Sequence, residues 1–353
     1  MKNKQFLLYG ANGYTGKLIA HYAASYGLVP ILAGRREEEL KPMAEQLNLS
    51  YKVISLDRTS VLESVLREVA VVIHAAGPFD VTAKPMVEAC LRTGTHYLDI
   101  NGDLAVFKML KEYDQEAKEA GIMVMSGVGF DVVPTDCLAL FLKKSLPEAV
   151  SLQLAFATPG GSLSHGTAIT TITKLGEPGA IRKNGNIIQV PVGDKGMMVD
   201  FGSKKLFVMA IPWGDVFTAY ETTGIKNIEA FTNVSRLVYW LTKFQFLFNW
   251  LLRKSVVRSL FKKIVKNNPP GLNDEKRAKA TSIVWGKVSD KEGNTSVARL
   301  YCPDAYTLTA YTSLLIAQKI MLGNYKTGYQ TPAGAYGENL IMEIEGVRRE
   351  VVK

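Results

Sequence analysis

The chain has 353 residues, 47% hydrophobic and 21% charged, which is enough apolar material for two packed domains and excludes a globally disordered chain. Its formal net charge of +9 is concentrated: residues 231–268 hold eight Lys/Arg (Arg236, Lys243, Arg253, Lys254, Arg258, Lys262, Lys263, Lys266) and no Asp or Glu. Cys90, Cys137 and Cys302 lie far apart without C-x-x-C spacing, which argues against a disulfide scaffold or a cysteine zinc site and points to a reducing, cytoplasmic compartment.

The opening MKNKQFLLYGANG runs straight into a strand and glycines, without the longer apolar stretch of a secretory leader. Gln5–Tyr9 reads as that strand, and Thr15–Tyr26 has helical spacing. Val29–Ala33 is a second strand before a charged helix at Glu37–Leu47; Tyr51–Leu56 is a third before a helix at Val61–Arg67. Val69–Ala75 reads as a strand buried on both faces, followed by a helix at Lys84–Thr93. Strands at His96–Ile100 and Ile122–Ser126 enclose a helix at Val106–Ala120. Continuous apolar strands alternating with helices form a parallel sheet covered on both faces. The pattern predicts a Rossmann-type, doubly wound α/β domain over residues 1–135.

The first strand leads into Gly10-Ala11-Asn12-Gly13-Tyr14-Thr15-Gly16. Glycines at this spacing also mark plain turns, but a position between strand and helix predicts a dinucleotide seat. Gly10 would allow the turn, Gly13 the approach of a pyrophosphate to the helix N-terminus, and Gly16 close packing of helix on strand. The loop lacks the G-K-[ST] ending of a P-loop, although Lys17 follows Gly16. The second strand ends in Ala33-Gly34-Arg35-Arg36. An acid at this point suits a free ribose 2′-hydroxyl, whereas a planar, permanently charged guanidinium suits a 2′-phosphate. Arg35, with Arg36, therefore predicts NADP, and Glu37–Glu39 read as a solvated helix start. Asp57 falls near the expected adenine, or is an exposed turn residue. Ala76, Gly77 and Pro78 leave room for a nicotinamide ribose after the fourth strand, or form a simple turn.

With these residues in view the chain resembles the saccharopine dehydrogenase-like oxidoreductases, a family that includes trans-acting enoyl reductases of lipid biosynthesis. The matching residues are Tyr9–Gly16, Ala33-Gly34-Arg35, Ala76–Phe79, His96–Asp99, Gly129–Asp136 and Thr331-Pro332-Ala333, in order and spread over most of the chain. The resemblance implies an NADP-binding Rossmann domain, an inserted α+β domain and an oxidoreductase activity. It does not extend to saccharopine as substrate, since no amino-acid-binding arginine set stands out in the second half.

After Pro134 the rhythm changes. Ser151–Thr158, Ile187–Val192, Leu206–Ile211, Ser282–Ser289 and Asn294–Tyr301 read as strands, the last two joined by a hairpin at Asp290–Gly293. This predicts a second α+β domain over 136–303 with an antiparallel sheet for substrate binding or homodimer contact. Asp304–Leu322 reads as a helix capped by Asp304 and stopped at Gly323, and the resemblance implies that 304–353 return to the nucleotide domain. His165, on a Gly/Ser loop before a helix at Ala168–Leu175, is a candidate proton donor or an ordinary exposed histidine. Asp131 and Asp136 bracket a turn at a strand's carboxyl end, where open α/β sheets bind ligands. Asp136 also reads as the cap of a helix starting at Cys137, and Asp99 is equally ambiguous. No clustered-histidine or paired-carboxylate pattern points to a metal.

Leu237–Leu252 carries one charge in sixteen residues, short of the roughly twenty that span a bilayer. Thr242, Gln245, Asn249 and Arg253 form a polar stripe along it. Val256, Val257, Leu260, Phe261, Ile264 and Val265 then share one face, and Pro269-Pro270-Gly271 ends the run. The segment either packs against the second domain or a twin subunit, or lies on an anionic membrane surface. Nucleic acid is disfavoured, because no binding motif accompanies the charge. The sequence thus predicts an NADP-dependent oxidoreductase reducing an enoyl or carbonyl group of an apolar substrate, cytoplasmic or peripheral to a membrane. An amino-acid-type reductase and a non-catalytic NADP-binding scaffold are the alternatives.

Overall fold

The computed structural model describes residues 5–267 and 271–352. Two compact units emerge, Met1–Val133 with Tyr306–Gly337, and Pro134–Ala305 with Glu338–Lys353.

The first unit is built on β1 (Gln5–Tyr9), β2 (Val29–Gly34), β3 (Tyr51–Val53), β4 (Val71–His74), β5 (His96–Asp99) and β6 (Met123–Met125). All pair in parallel in the order β6-β5-β4-β1-β2-β3. Phe6, Leu7 and Leu8 of β1 and Val71, Val72 and Ile73 of β4 are completely buried. Strands covered by helices on both faces need such uninterrupted apolar runs. The strand order reverses between β1 and β4, so the loops leaving their carboxyl ends flank the crevice where open α/β sheets take ligands. Two helix expectations change. The helix after β4 starts at Phe79, directly behind Pro78. The expected helix Val106–Ala120 is two helices, Leu104–Lys111 and Asp114–Glu119; Asp114, which opens the second, accepts the Tyr329 N–H at 2.8 Å.

The second unit contains β7 (Ser151–Ala157), β8 (Gly179–Lys183), β9 (Asn186–Val190), β10 (Gly196–Asp200), β11 (Lys205–Ile211), β12 (Asn227–Asn233), β13 (Thr281–Ser289) and β14 (Thr295–Pro303). The sheet is mixed: β12 runs parallel to β7, and the remaining pairs are antiparallel. A long excursion through β8 to β11 separates β7 from β12, and that length permits a parallel return. Phe201, Val208, Phe231 and Trp285 fill the core against the small residues Ala155 and Ala157. The β13–β14 turn is fixed by Asp290, whose Oδ1 accepts the N–H groups of Glu292 and Asn294.

The tail divides. The helix Ala305–Met321 packs in the first unit from Tyr306 onward; its Thr312 hydroxyl donates to the Val128 carbonyl at 2.7 Å. β15 (Gly328–Tyr329) extends the first sheet beside β6. Residues 338–353 were expected on the nucleotide domain, but they belong to the second unit, where β16 (Arg348–Val352) pairs antiparallel with β14.

Candidate cofactor site

β1 ends at Tyr9, and the chain leaves the sheet through Gly10 at φ +89°, a conformation that disfavours any side chain. The Gly10 N–H donates to the Ala33 carbonyl at 2.8 Å. A Cβ on Gly10 would stand 2.7 Å from the backbone of Ala75 and Ala76, so its absence lets the loops after β1 and β4 meet. Gly13 is the N-cap of the helix Tyr14–Tyr22, in extended conformation and with no side-chain cap. A Cβ at Gly13 would have one neighbour within 4 Å, the Gly10 carbonyl at 3.3 Å, so this face of the corner is open. A Cβ at Gly16 would lie 2.3 Å from the Gly10 oxygen and 2.8 Å from that of Ala11. Contact between helix and loop therefore requires glycine there. With no acid in the helix's first turn, its first-turn amides and positive dipole end form an anion seat. Tyr14 and Thr15 form the first helical positions, with the Tyr14 ring edge-on to Tyr306 at 5.0 Å.

The end of β2 distinguishes the two arginines. Arg36 is paired with Glu39 Oε1 at 2.5 Å, and Glu39 Oε2 accepts Asn12 Nδ2 at 2.6 Å. One carboxylate thus engages both Arg36 and Asn12. Arg35 is exposed and has no ion pair among the described residues. It lies within electrostatic reach of Tyr9, whose hydroxyl pKa is raised by burial, moderated by Arg35 and pushed back up by Asp57. That hydroxyl donates to the Ile54 carbonyl at 3.2 Å. Asp57 is exposed, its carboxyl held below the usual range first by the Ser55 hydroxyl.

Beyond β4, Ala76, Gly77 and Pro78 form a loop with a cis Gly77–Pro78 bond. The Thr82 hydroxyl bonds to the carbonyls of Ala76 and Pro78 at 2.7 and 3.0 Å. It has one proton to give, so His74 Nε2, 3.0 Å away, must be the donor to Thr82 Oγ1. His74 is fully buried, and burial alone pushes its pKa down to about 3, so the ring is neutral. Sequence reasoning passed over this pair. Its one signal was a histidine closing an otherwise aliphatic strand.

The four acidic and histidine candidates separate cleanly. Asp99 is consumed by structure: Oδ1 accepts Asn101 N, Ser126 Oγ and Gly127 N, and Oδ2 accepts the Tyr97 hydroxyl. Asp131 lies in the loop after β6, half-buried, against Gly102, where a Cβ would come 2.9 Å from its Oδ2. It makes no hydrogen bond among the described residues, and burial raises its pKa to about 7. Asp136 is not an N-cap: the helix runs Val133–Ser145 and places it, fully buried, within the first turn. His165 is not on a loop either. It opens the helix His165–Thr173 of the second unit, whose N-cap Ser164 accepts the Thr167 N–H at 3.2 Å.

Comparison with known proteins agrees with the first unit's geometry. Residues 6–125 match the family described as Saccharopine dehydrogenase NADP binding domain. Over this stretch the chain is similar to the saccharopine dehydrogenase-like oxidoreductases. The chain is 32% identical over 209 residues to a Caenorhabditis elegans "Lipid droplet localized protein", covering 52% of this chain and 49% of that one. It is 35% identical over 138 residues to the "Trans-acting enoyl reductase" of Mycobacterium leprae, covering 37% and 33%. The matches span half or less of these curated relatives. In fold, it superimposes on apo saccharopine dehydrogenase (L-Glu forming) from Saccharomyces cerevisiae with a TM-score of 0.69, covering 99% and 100% of the two chains at 13% identity. Residues 6–125 form an NADP-binding domain, and the cradle between Gly10 and Gly16 fits that cofactor's pyrophosphate.

Proposed function

We propose that the protein is an NADPH-dependent reductase of an enoyl or carbonyl group on an apolar, lipid-like substrate. The observation that carries the redox reading is the glycine-lined corner at Gly10–Gly16 with the unpaired Arg35 guanidinium at the end of the neighbouring strand. The partial likeness to an enoyl reductase supports the class of acceptor. When bound, the cofactor supplies hydride, and the protein supplies position, dryness and a proton. In this reading the Gly10–Gly16 corner, with Ala11 and Asn12 in its wall, seats the pyrophosphate. Arg35 takes the 2′-phosphate, Asp57 lies towards the adenine, and Ala76–Pro78 borders the nicotinamide ribose.

Asp131 is the proton donor in this reading. It shares the carboxyl edge of the parallel sheet with the cofactor corner, its carboxyl has no internal partner, and a pKa of about 7 keeps a large protonated fraction near neutrality. A substrate of this kind partitions into lipid, so the enzyme would meet it at a phospholipid surface. The test is NADPH oxidation by the full chain across enoyl thioesters, long-chain ketones and aldehydes, and keto acids with amino acids. Turnover of the apolar acceptors is expected. Turnover confined to keto acid plus amino acid would assign saccharopine-like chemistry instead, and silence with tight NADPH binding would make the protein a scaffold.

A further inference from the structure

The segment that holds the chain's excess charge is folded inside out. It comprises the helix Arg236–Lys243, a 3₁₀ turn at Gln245–Leu247, a short helix Asn249–Leu252 and the helix Ser255–Lys266. Among residues 236–252 none is buried. Large apolar side chains stand in solvent: Leu237 is 69% exposed, Leu241 65%, Phe246 64% and Trp250 64%. The polar stripe of Thr242, Gln245 and Asn249 faces inward instead and is half-buried. Tyr239 anchors the first helix by packing edge-on against Phe207 of β11 at 5.0 Å. Arg253 and Arg258 tie the later part down by donating to the carbonyls of Gly176 and Leu175 at 2.9 and 2.7 Å. The last helix repeats the arrangement, with Val256 at 77% and Leu260 at 60% exposure while Arg258 is half-buried. Expected polar-out patterning is reversed on a segment held in place by its own polar groups. Lys266's side chain and Pro269-Pro270 lie outside the described residues.

We infer that this face docks in the plane of an anionic phospholipid bilayer, with its aromatic and aliphatic side chains in the headgroup–acyl boundary. No helix among the described residues is long and apolar enough to cross a membrane, so the segment lies on the surface rather than spanning it. Charge selects the occupant. Of the eight cations between Phe231 and Asn268, Arg253 and Arg258 are held by backbone carbonyls and Arg258 also lies 3.7 Å from Glu177, while the exposed Arg236, Lys243, Lys254 and Lys263 complement phosphatidylserine-type headgroups. In a two-fold dimer through the same patch, each cation-bearing surface would face its own copy, cation against cation. The cations sit where a boundary position requires: Lys254 Nζ lies 5.1 Å above the Trp250 ring and Lys243 Nζ 5.6 Å above that of Tyr239. Each long stem lies along apolar surface while its charged end can reach headgroups. The inference rests on the apolar-substrate reading for its purpose only, because its geometry is independent of the cofactor unit.

The experiment is sedimentation of the full-length protein with phosphatidylcholine vesicles and with mixed phosphatidylcholine–phosphatidylserine vesicles. Binding to the mixed vesicles, weakened by salt, is expected. Leu237→Ser combined with Trp240→Ser should abolish it. Lys254→Glu and Lys263→Glu should each lower it by at least about fivefold, the worth of one cation at an anionic surface. Unchanged NADPH binding and an unchanged melting transition certify that the variants are folded. Failure to sediment, equal binding to neutral vesicles, or a concentration-dependent dimer abolished by the serine changes would each overturn the inference. None of these outcomes alters NADPH turnover on a soluble short-chain acceptor, so the reductase reading stands or falls separately.

Discussion

A single methyl group on Gly16 would stand 2.3 Å from the carbonyl oxygen of Gly10. The Gly10 oxygen belongs to the backbone of a loop pinned to Ala33 on one side and facing Ala75 on the other, and the methyl would be fixed to the helix backbone, so neither can move away cheaply. Gly16→Ala should therefore push the helix Tyr14–Tyr22 off the corner. The expected cost is about 1–3 kcal/mol of stability, typical of overpacking, with loss of NADPH binding. At Gly13 the sole protein neighbour of a Cβ is 3.3 Å away, so Gly13→Ala should leave the melting transition nearly unchanged and weaken NADPH by filling the open face. Thermal melts and fluorescence titration of both variants check this. Wild-type NADPH affinity in both would mean that the corner does not hold the pyrophosphate.

Arg35 and Arg36 are adjacent in sequence and differ in structure, because Glu39 holds Arg36 and leaves Arg35 unpaired. Arg35→Ala should weaken NADPH at least about tenfold, the loss expected when a charge-assisted hydrogen bond is removed, and leave NADH nearly unchanged. Arg36→Ala should change the ratio of the two affinities little. Titration of both nucleotides against both variants decides, and equal losses of NADPH and NADH in Arg35→Ala would place that side chain elsewhere.

The first sheet was legible because burial on both faces writes itself as unbroken apolar runs, such as Val69–Ile73 ahead of His74. β12 was not legible. Its Asn227, Glu229 and Thr232 break the pattern, and the side chains that accommodate Glu229, Lys195 and Gln153, come from elsewhere in the chain. The glycine corner and Arg35 could be read locally, since each needs only its own strand end. The His74–Thr82 bond could not, because it depends on how the loop between them folds back. The polar stripe at Thr242, Gln245 and Asn249 was visible at helical spacing, yet spacing does not say which side faces the protein. Contacts from Phe207 and Gly176 decide that.

Asp131 gives a pH-dependent prediction with a definite sign. Its carboxyl titrates near 7 in the folded protein against an ordinary 3.8, because burial disfavours the anion. The protonated acid is the form that can donate, so kcat/KM for reduction should be constant below about pH 6 and fall above an apparent pKa of about 7. Oxidation of the reduced product by NADP⁺ should show the mirror profile, rising through the same pH. Stability follows the same group. Between the two pKa values the folded state binds a proton that the unfolded chain releases, so stability should increase as pH falls from about 8 towards 4. Asp131→Asn should flatten this component of both profiles and lower reduction by about 10²–10⁴-fold, the usual weight of one general acid, with NADPH affinity unchanged. A steady-state pH series on the wild type and Asp131→Asn, with melts over the same range, is the measurement. If the variant keeps the wild-type break near pH 7, another group titrates there and the proton comes from elsewhere.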